Sequence, residues 1–460
     1  QNLGKYPGFL APLDSHQLRI FISIIIKGIA DRRFLSSFLR FSTGSIDRIN
    51  LKMLVLKNAA AVYTCAGEGQ DPLGFVENGT VVFDDARVVY VGPSAGAPEA
   101  SKDAQVIDCS GKIIMPGLVD CHTHSVWAGS RADEFQRRLA GESYVSILEK
   151  GGGILSTVNA TRAATKDELA TNARNRVKSM RDECGVTTVE IKSGYGLTPD
   201  DEFKMLEAAR ECGDTCRILT TFLGAHTIPK EFKEGRRDEY VKQVIEVQLP
   251  KCAPISDFVD IFCDRGAFTL EEAREILLAG KKLGLTVRAH AEQIESTGCA
   301  KLVAELGGTS ADHLEQLDEG GAKALGAAGV VAVLLPGAQL YLKDISPPVP
   351  LLRKHNVRMA IGTDLNPGSS PVHNLWTVAT LGCIIQSCTV VEAVLGITKN
   401  AGLALNRSDI GWLGCGSVGD AVVLSVPPGE PKKIESLIQH MGTPRVNIVV
   451  QNGKVTVNKT

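Results

Sequence analysis

The chain has 460 residues, 50 Lys+Arg against 52 Asp+Glu, a formal net charge of -2 and 44% hydrophobic residues. That is enough apolar material for one large core, alone or with a small satellite. The balanced charge, with no basic patch interleaved with aromatics, argues against a nucleic-acid partner, and no apolar run is long enough to span a bilayer.

Residues 1–52 read as foreign to the rest of the chain and are expected to be an unstructured extension. FLSSFLRFSTGS carries Ser and Arg without acids, as organelle presequences do, but Asp14, Asp31 and Asp47 count against that. The favoured reading is an extended gene model with translation starting at Met53, and the segment is set aside from the fold. From Met53 onward short β-like runs alternate with turn residues: MLVLKNAAAVYT, GTVVFDD, ARVVYVG and KIIMPG. The C-terminus repeats the pattern in DAVVLSV and NIVVQNGKVTVN, where Asn452-Gly453 between alternating runs predicts a hairpin.

Between these ends, eight short apolar runs alternate with helical segments: LVDCHTH, TTVEIKS, RILTTFLGAH, FVDIFCD, LTVRAHAE, TSADHLE, VVAVLLP and RMAIGTD. One helical segment, TPDDEFKMLEAARECG, has Thr198 as cap, Pro199 in its first turn and Gly213 to close it. Eight β-α units predict an α/β fold, a (β/α)8 TIM-type barrel. A doubly wound open sheet is the rival, but no G-x-G-x-x-G follows an early strand, and Gly151 to Gly153 reads as a connection. The expected organisation is a barrel over 116–407 and a small composite β-sandwich built from 53–115 plus 408–460. Twelve cysteines without a C-x-x-C pair read as reduced thiols, which suits the cytoplasm or a compartment of similar redox poise.

In such a barrel the chemistry sits at the C-terminal strand ends. His122 and His124 end the first run, His226 the third, His290 the fifth, His313 the sixth and Asp364 the eighth, so five of nine histidines collect at run ends. Residues i and i+2 of a strand share a side, so His122 and His124 both face the barrel axis. With His290 and Asp364 they form a donor set for one divalent ion, zinc or iron. A lone H-x-H is more often a structural pair; the matching His and Asp at other run ends make a metal the better reading. A catalytic metal keeps one position open for water and lowers its pKa. Asp364 then serves as proton carrier and His313 as a hydrogen-bond donor to the developing oxyanion. The fourth run offers Cys263 and Asp264 but no lysine to bridge two ions, and Lys192 on the second run is poorly placed, so a single ion is expected.

This arrangement resembles the amidohydrolase superfamily. The words CHTHSVWAGSRADEFQRRLAGESY, GGGI, SGYGL, LGAHTIP, HAEQ, DHLE and GTDLNPGSSP narrow the resemblance to the imidazolonepropionase family, from about Met53 to the last strands. The resemblance implies hydrolysis of 4-imidazolone-5-propanoate to N-formimino-L-glutamate, the third step of histidine degradation. It implies one Zn2+ or Fe2+/Fe3+ per subunit on His122, His124, His290 and Asp364, and a cytoplasmic homodimer acting on a small molecule without a membrane or nucleic acid. It places Arg131, Tyr144, Tyr195, His226, Gln293, Asn366, Gly368 and Ser369 on substrate-contacting positions. A guanidinium can grip a carboxylate with two parallel hydrogen bonds, which suits Arg131 to the propionate. Taken alone, Arg131 is a loop charge, the tyrosines are packing residues and Asn366-Pro367-Gly368 is a turn. Ring deaminases of the superfamily place Glu three residues after the fifth-strand His; here Gln293 stands there and cannot transfer a proton, while Glu292 beside it is expected to point elsewhere. The other readings are a heterocycle deaminase and, further off, a metal-binding protein without catalysis.

Overall fold

The computed structural model describes residues 53–142, 152–233, 235–443 and 445–460. The expectations placed on residues 1–52, Tyr144 and Gly151 lie outside these. All eight apolar runs become strands of one parallel sheet: β6 (Leu118–Asp120), β7 (Val186–Lys192), β8 (Arg217–Ala225), β9 (Phe258–Cys263), β10 (Thr286–Ala291), β11 (Ser310–His313), β12 (Val331–Leu334) and β13 (Met359–Ile361). They pair in chain order. The ring closes just past β6 and β13, where Thr123 bridges Leu365 in parallel, the His124 N–H donates to the Leu365 carbonyl at 3.0 Å and the Asp364 N–H to the His122 carbonyl at 3.0 Å. The seam of the barrel therefore carries three of the four expected metal ligands.

Helices between the strands begin where the sequence supplies caps. Thr198 accepts from the Asp201 N–H at the head of helix Pro199–Arg210, and Thr269 with Glu272 forms a capping box on Leu270–Lys282. Gly213 does not close the first of these. The helix tightens into a 3-10 turn over Glu211–Asp214, and Gly213 sits inside that turn without the left-handed backbone of a C-cap glycine.

The terminal segments build a second sheet in the order β16-β15-β14-β5-β1-β2-β3, with β4 also pairing β1. Its strands are β1 (Leu54–Tyr63), β2 (Phe75–Asp84), β3 (Arg87–Pro93), β4 (Gln105–Asp108), β5 (Ile113–Pro116), β14 (Ala421–Leu424), β15 (Val446–Gln451) and β16 (Lys454–Asn458). β4 has mostly exposed residues and no apolar alternation, which is why the sequence pattern missed it. β5 against β14 joins the two ends of the chain, and Leu54, Leu56, Ile114, Val423, Ile448 and Val450 share one buried cluster. Asn452 (φ 49°) and Gly453 (φ 72°) make the tight β15–β16 turn. Both sheets belong to one unit, Lys52–Thr460. Among the described residues no helix is long and apolar enough to cross a membrane. All twelve cysteines are free thiols.

Candidate active site

The strand ends bring His122, His124 and His290 together, with one ligand atom from each within 4.8 Å of the others, all buried. Nε2 of His124 lies 3.4 Å from Nε2 of His290, and Oδ1 of Asp364 lies 3.5 Å from Nε2 of both His122 and His124. Four ligands about 2.1 Å from one ion in a tetrahedron stand about 3.4 Å apart edge to edge. These three spacings match such a set, and the buried Nε2 of His122 has no hydrogen-bond partner. The donors fit a divalent ion.

The outward-facing nitrogens are fixed from below. Nδ1 of His122 is 2.6 Å from Asp312 Oδ2, and Nδ1 of His290 is 3.1 Å from Asp260 Oδ1. A carboxylate on Nδ1 holds the hydrogen there and leaves Nε2 as the free lone pair for a metal. Burial, then the Lys192 charge, pushes the His122 imidazole well below its ordinary pKa; burial, then His226, does the same at His124. Neutral imidazoles are the ligating form. Burial lifts the Asp364 carboxyl to about 7, against the pull of His290.

Beneath these ligands lies an ionic layer that sequence reading did not assemble. The Lys192 ammonium is 2.9 Å from Glu190, 2.7 Å from Asp260 and 3.8 Å from Asp312, and Arg288 is 2.9 Å from Asp312 and 3.5 Å from Glu190, all with fully buried side chains. Burial alone would raise the Asp260 carboxyl, but His290, Lys192 and Arg288 hold it well below the usual carboxylate range. The signal was present in the strands. Glu190 and Lys192 alternate with Val189 and Ile191, and Arg288 alternates with His290 around Ala289, so each charged pair shares the inward side.

The remaining candidates form the walls. The His226 ring stacks on His124 at 5.2 Å between centroids and 15° between planes, and its Nδ1 donates to the Gly194 carbonyl at 3.0 Å. Burial, then His290, lowers its pKa to about 4, leaving a neutral ring with Nε2 as acceptor. Tyr195 is buried with its ring 5.7 Å from His124 and 5.5 Å from His226. Its loop hangs on Glu202, whose carboxylate accepts from the N–H groups of Gly194 (3.0 Å), Gly196 (2.8 Å) and Leu197 (2.7 Å). Gly194 has φ +106°, and a Cβ there would meet His226 Nδ1 at 2.9 Å, so only glycine fits. Replacing Glu202 by alanine leaves these buried donors unpaired. The expected result is a stability loss of about 3 kcal/mol in denaturant unfolding, with raised KM as Tyr195 shifts.

Arg131 uses its Nε and Nη2 edge on Glu134, with Nε donating at 2.6 Å, while Nη1 donates to Thr157 at 3.3 Å. One edge of the guanidinium is thus already committed within the protein. Its Nη1 faces Gly368, where a Cβ would stand 2.9 Å away. The Asn366 side chain is spent within its own turn: the amide donates to the Asp364 carbonyl (2.7 Å) and Ser369 Oγ (2.9 Å), and its oxygen accepts from the Gly368 and Ser369 N–H groups (both 2.8 Å). Glu292 points away, as expected, accepting from the Gly298 (3.1 Å) and Ala300 (3.3 Å) N–H groups; burial lifts it to about 7. Gln293 sits on a loop pinned by Asp264, which accepts from the Gln293, Ile294 and Glu295 N–H groups at 2.7–3.0 Å. The Asp312 carboxylate serves His122 and Arg288, so it does not satisfy the neighbouring His313 ring. His313 (φ 78°), Leu314 (φ 74°), Glu292 (φ 55°) and Asp364 (φ 51°) adopt left-handed backbone at strand ends, the strain that functional sites concentrate.

The model of the amidohydrolase family matches residues 113–456. The chain belongs to the amidohydrolase family. Among its members, this amidohydrolase is 43% identical over 393 residues to an imidazolonepropionase of Methylobacterium sp. (strain 4-46), covering 84% of this chain and 96% of the relative. It is 45% identical over 370 residues to that of Stenotrophomonas maltophilia (strain R551-3), covering 79% and 89%, and 39% identical over 424 residues to that of Geobacillus sp. (strain WCH70), covering 88% and 98%. In fold, it is similar to a triazine hydrolase from Arthobacter aurescens (TM-score 0.67, 18% identity, 89% of this chain and 95% of that one). It is also similar to an adenosine deaminase from Xanthomonas campestris with bound zinc (TM-score 0.66, 19% identity, 88% and 93%). Membership, with the three-histidine cluster, makes it a metal-dependent hydrolase.

Proposed function

We propose that this amidohydrolase opens the ring of 4-imidazolone-5-propanoate to give N-formimino-L-glutamate, in the breakdown of histidine. The observation that carries the reading is the donor set of His122, His124 and Asp364 at the barrel seam with His290 from β10, in a chain 39–45% identical to imidazolonepropionases over most of its length. His122, His124, His290 and Asp364 would hold one Zn2+ or Fe2+ per subunit. The ion when bound supplies Lewis acidity toward a carbonyl and a lowered water pKa.

The chain's own residues do the rest. Asp364, 3.5 Å from two of the ligating imidazoles, takes the proton of the attacking water and passes it to the departing ring nitrogen. His313 donates to the carbonyl oxygen as negative charge grows there. His226 and Tyr195 seat the ring, and Gln293 hydrogen-bonds its amide. Arg131 receives the propionate on the guanidinium edge that Glu134 leaves free, beside the turn of Asn366, Gly368 and Ser369. The contact of Tyr144 with substrate stays a proposal from family likeness.

Replacing Arg131 by alanine should leave the metal in place and raise KM about 10- to 100-fold, the value of charge-assisted hydrogen bonds to one carboxylate. Because this also strips Glu134 of its guanidinium partner and leaves it only the Gly153 N–H, an Arg131→Ala/Glu134→Ala pair is the control. An unchanged KM in both would remove the propionate assignment. The function itself is tested by following ultraviolet absorbance loss of freshly made imidazolone propionate with ammonia measured in parallel. Loss without ammonia, stopped by a chelator and restored by a divalent ion, is the expected outcome; ammonia release would move the reading to a heterocycle deaminase. Metal analysis of purified protein separates zinc from iron, and sedimentation and cell fractionation test the proposed cytoplasmic homodimer. The free thiols suit a reducing compartment.

A further inference from the structure

Two buried polar atoms beside the donor set face one another without partners. They are Nδ1 of His313 and Oε2 of Glu315, 3.9 Å apart, with the side chains 4% and 1% exposed. The His313 ring stands 5.4 Å from that of His290 and 5.9 Å from that of His122, so it flanks the metal ligands. The pairing is built into the backbone. His313 and Leu314 take successive left-handed conformations, and the turn is tied to the end of β10 by the Leu314 N–H on the Ala291 carbonyl (3.1 Å) and the Gln316 N–H on the Glu292 carbonyl (2.7 Å). A shift of about 1 Å brings the two atoms to hydrogen-bond distance.

We infer that Glu315 is a positioning residue for His313: its carboxylic acid O–H donates to Nδ1, which leaves the hydrogen on Nε2, aimed at the reacting carbonyl. The inference rests on the function proposed above. Burial disfavours the charged form of both groups. It raises the Glu315 carboxyl well above its ordinary range, reinforced by the acids Asp344 and Asp264. Between two neutral groups, the carboxyl O–H is the stronger acid and the imidazole nitrogen the stronger base, so the O–H···N arrangement is the favoured one. An ionised Glu315 would instead accept from Nδ1–H, and Nε2 would then be an acceptor, useless to an oxyanion. No proton leaves Glu315 in the reaction.

The test compares wild type, Glu315→Gln and Glu315→Leu on 4-imidazolone-5-propanoate, with metal content measured in each. Glu315→Leu is expected to lower kcat on the order of 10²-fold, the cost of a misdirected oxyanion donor, with KM and metal content near wild type. Glu315→Gln keeps an N–H donor for Nδ1 and should hold kcat within about fivefold. A wild-type kcat in Glu315→Leu, or Glu315→Gln as impaired as Glu315→Leu, overturns the inference. Nitrogen-15 spectra of histidine-labelled, zinc-loaded wild type read the tautomer without any variant: hydrogen on Nε2 of His313 supports the inference, and hydrogen on Nδ1 overturns it. Should wild type fail to turn the substrate over, the proposed function falls, and the tautomer alone then decides the role of Glu315.

Discussion

His290→Ala is expected to lose the metal and the activity together, with turnover down on the order of 10³-fold or more. His290 is the one donor of the set that comes from across the barrel, on β10, while His122, His124 and Asp364 ride the closing seam. Its Nε2 stands 3.4 Å from that of His124, and its ring orientation is set by Asp260 at 3.1 Å. Truncation removes one ligand and also leaves the Asp260 carboxylate without its imidazole partner. The seam donors alone would offer three ligands. Metal analysis after gel filtration, beside the absorbance assay, reads both effects. A variant that keeps a full complement of metal and turns over at the wild-type rate would show that His290 is not a ligand.

Lys192→Met should produce the largest loss of stability. The ammonium lies among the carboxylates of Glu190, Asp260 and Asp312, with no exposure of any of the four side chains. Methionine matches its length and removes its charge, so Arg288 remains as the single cation facing Glu190 and Asp312. Breaking a buried pair by deleting one partner costs about 3–5 kcal/mol, because the remaining charge cannot reach water. Denaturant unfolding of the metal-loaded protein measures it. Metal affinity should fall in parallel by about 10- to 100-fold, since Asp260 and Asp312 orient two of the ligating imidazoles. A variant within about 1 kcal/mol of wild type would mean that the ionic layer reorganises around its loss.

The two effects differ in how far the sequence announced them. His290 stood at the end of an apolar run, matched by histidines and an aspartate at the ends of other runs, and strand periodicity sufficed to turn them inward. Lys192, Glu190 and Arg288 stood inside runs, where each looked like a charge interrupting a strand. Their alternation with Val189, Ile191 and Ala289 put them on the inward side, but which opposite charges they would meet depends on the order in which eight strands close. Arg131 was legible as a guanidinium near the site, whereas its engagement with Glu134 three residues on depends on helix Ala132–Leu139 starting where it does. Gly213 was misread because local composition marks a helix end without saying whether the last turn tightens or flips left-handed.

By itself, then, the sequence determined the alternation of strands and helices, the eightfold repeat, the β-rich ends and the inward side of each histidine. All of these follow from period-2 and cap signals within a few residues of one another. The tertiary structure alone decided that Asp364 and His124 meet across the closing seam, that Asp260 and Asp312 hold the imidazoles, and that Glu315 faces His313. Those contacts join residues brought together by barrel closure, or by two strained backbone angles, and dehydration of the barrel interior sets the proton positions and charges on which they depend.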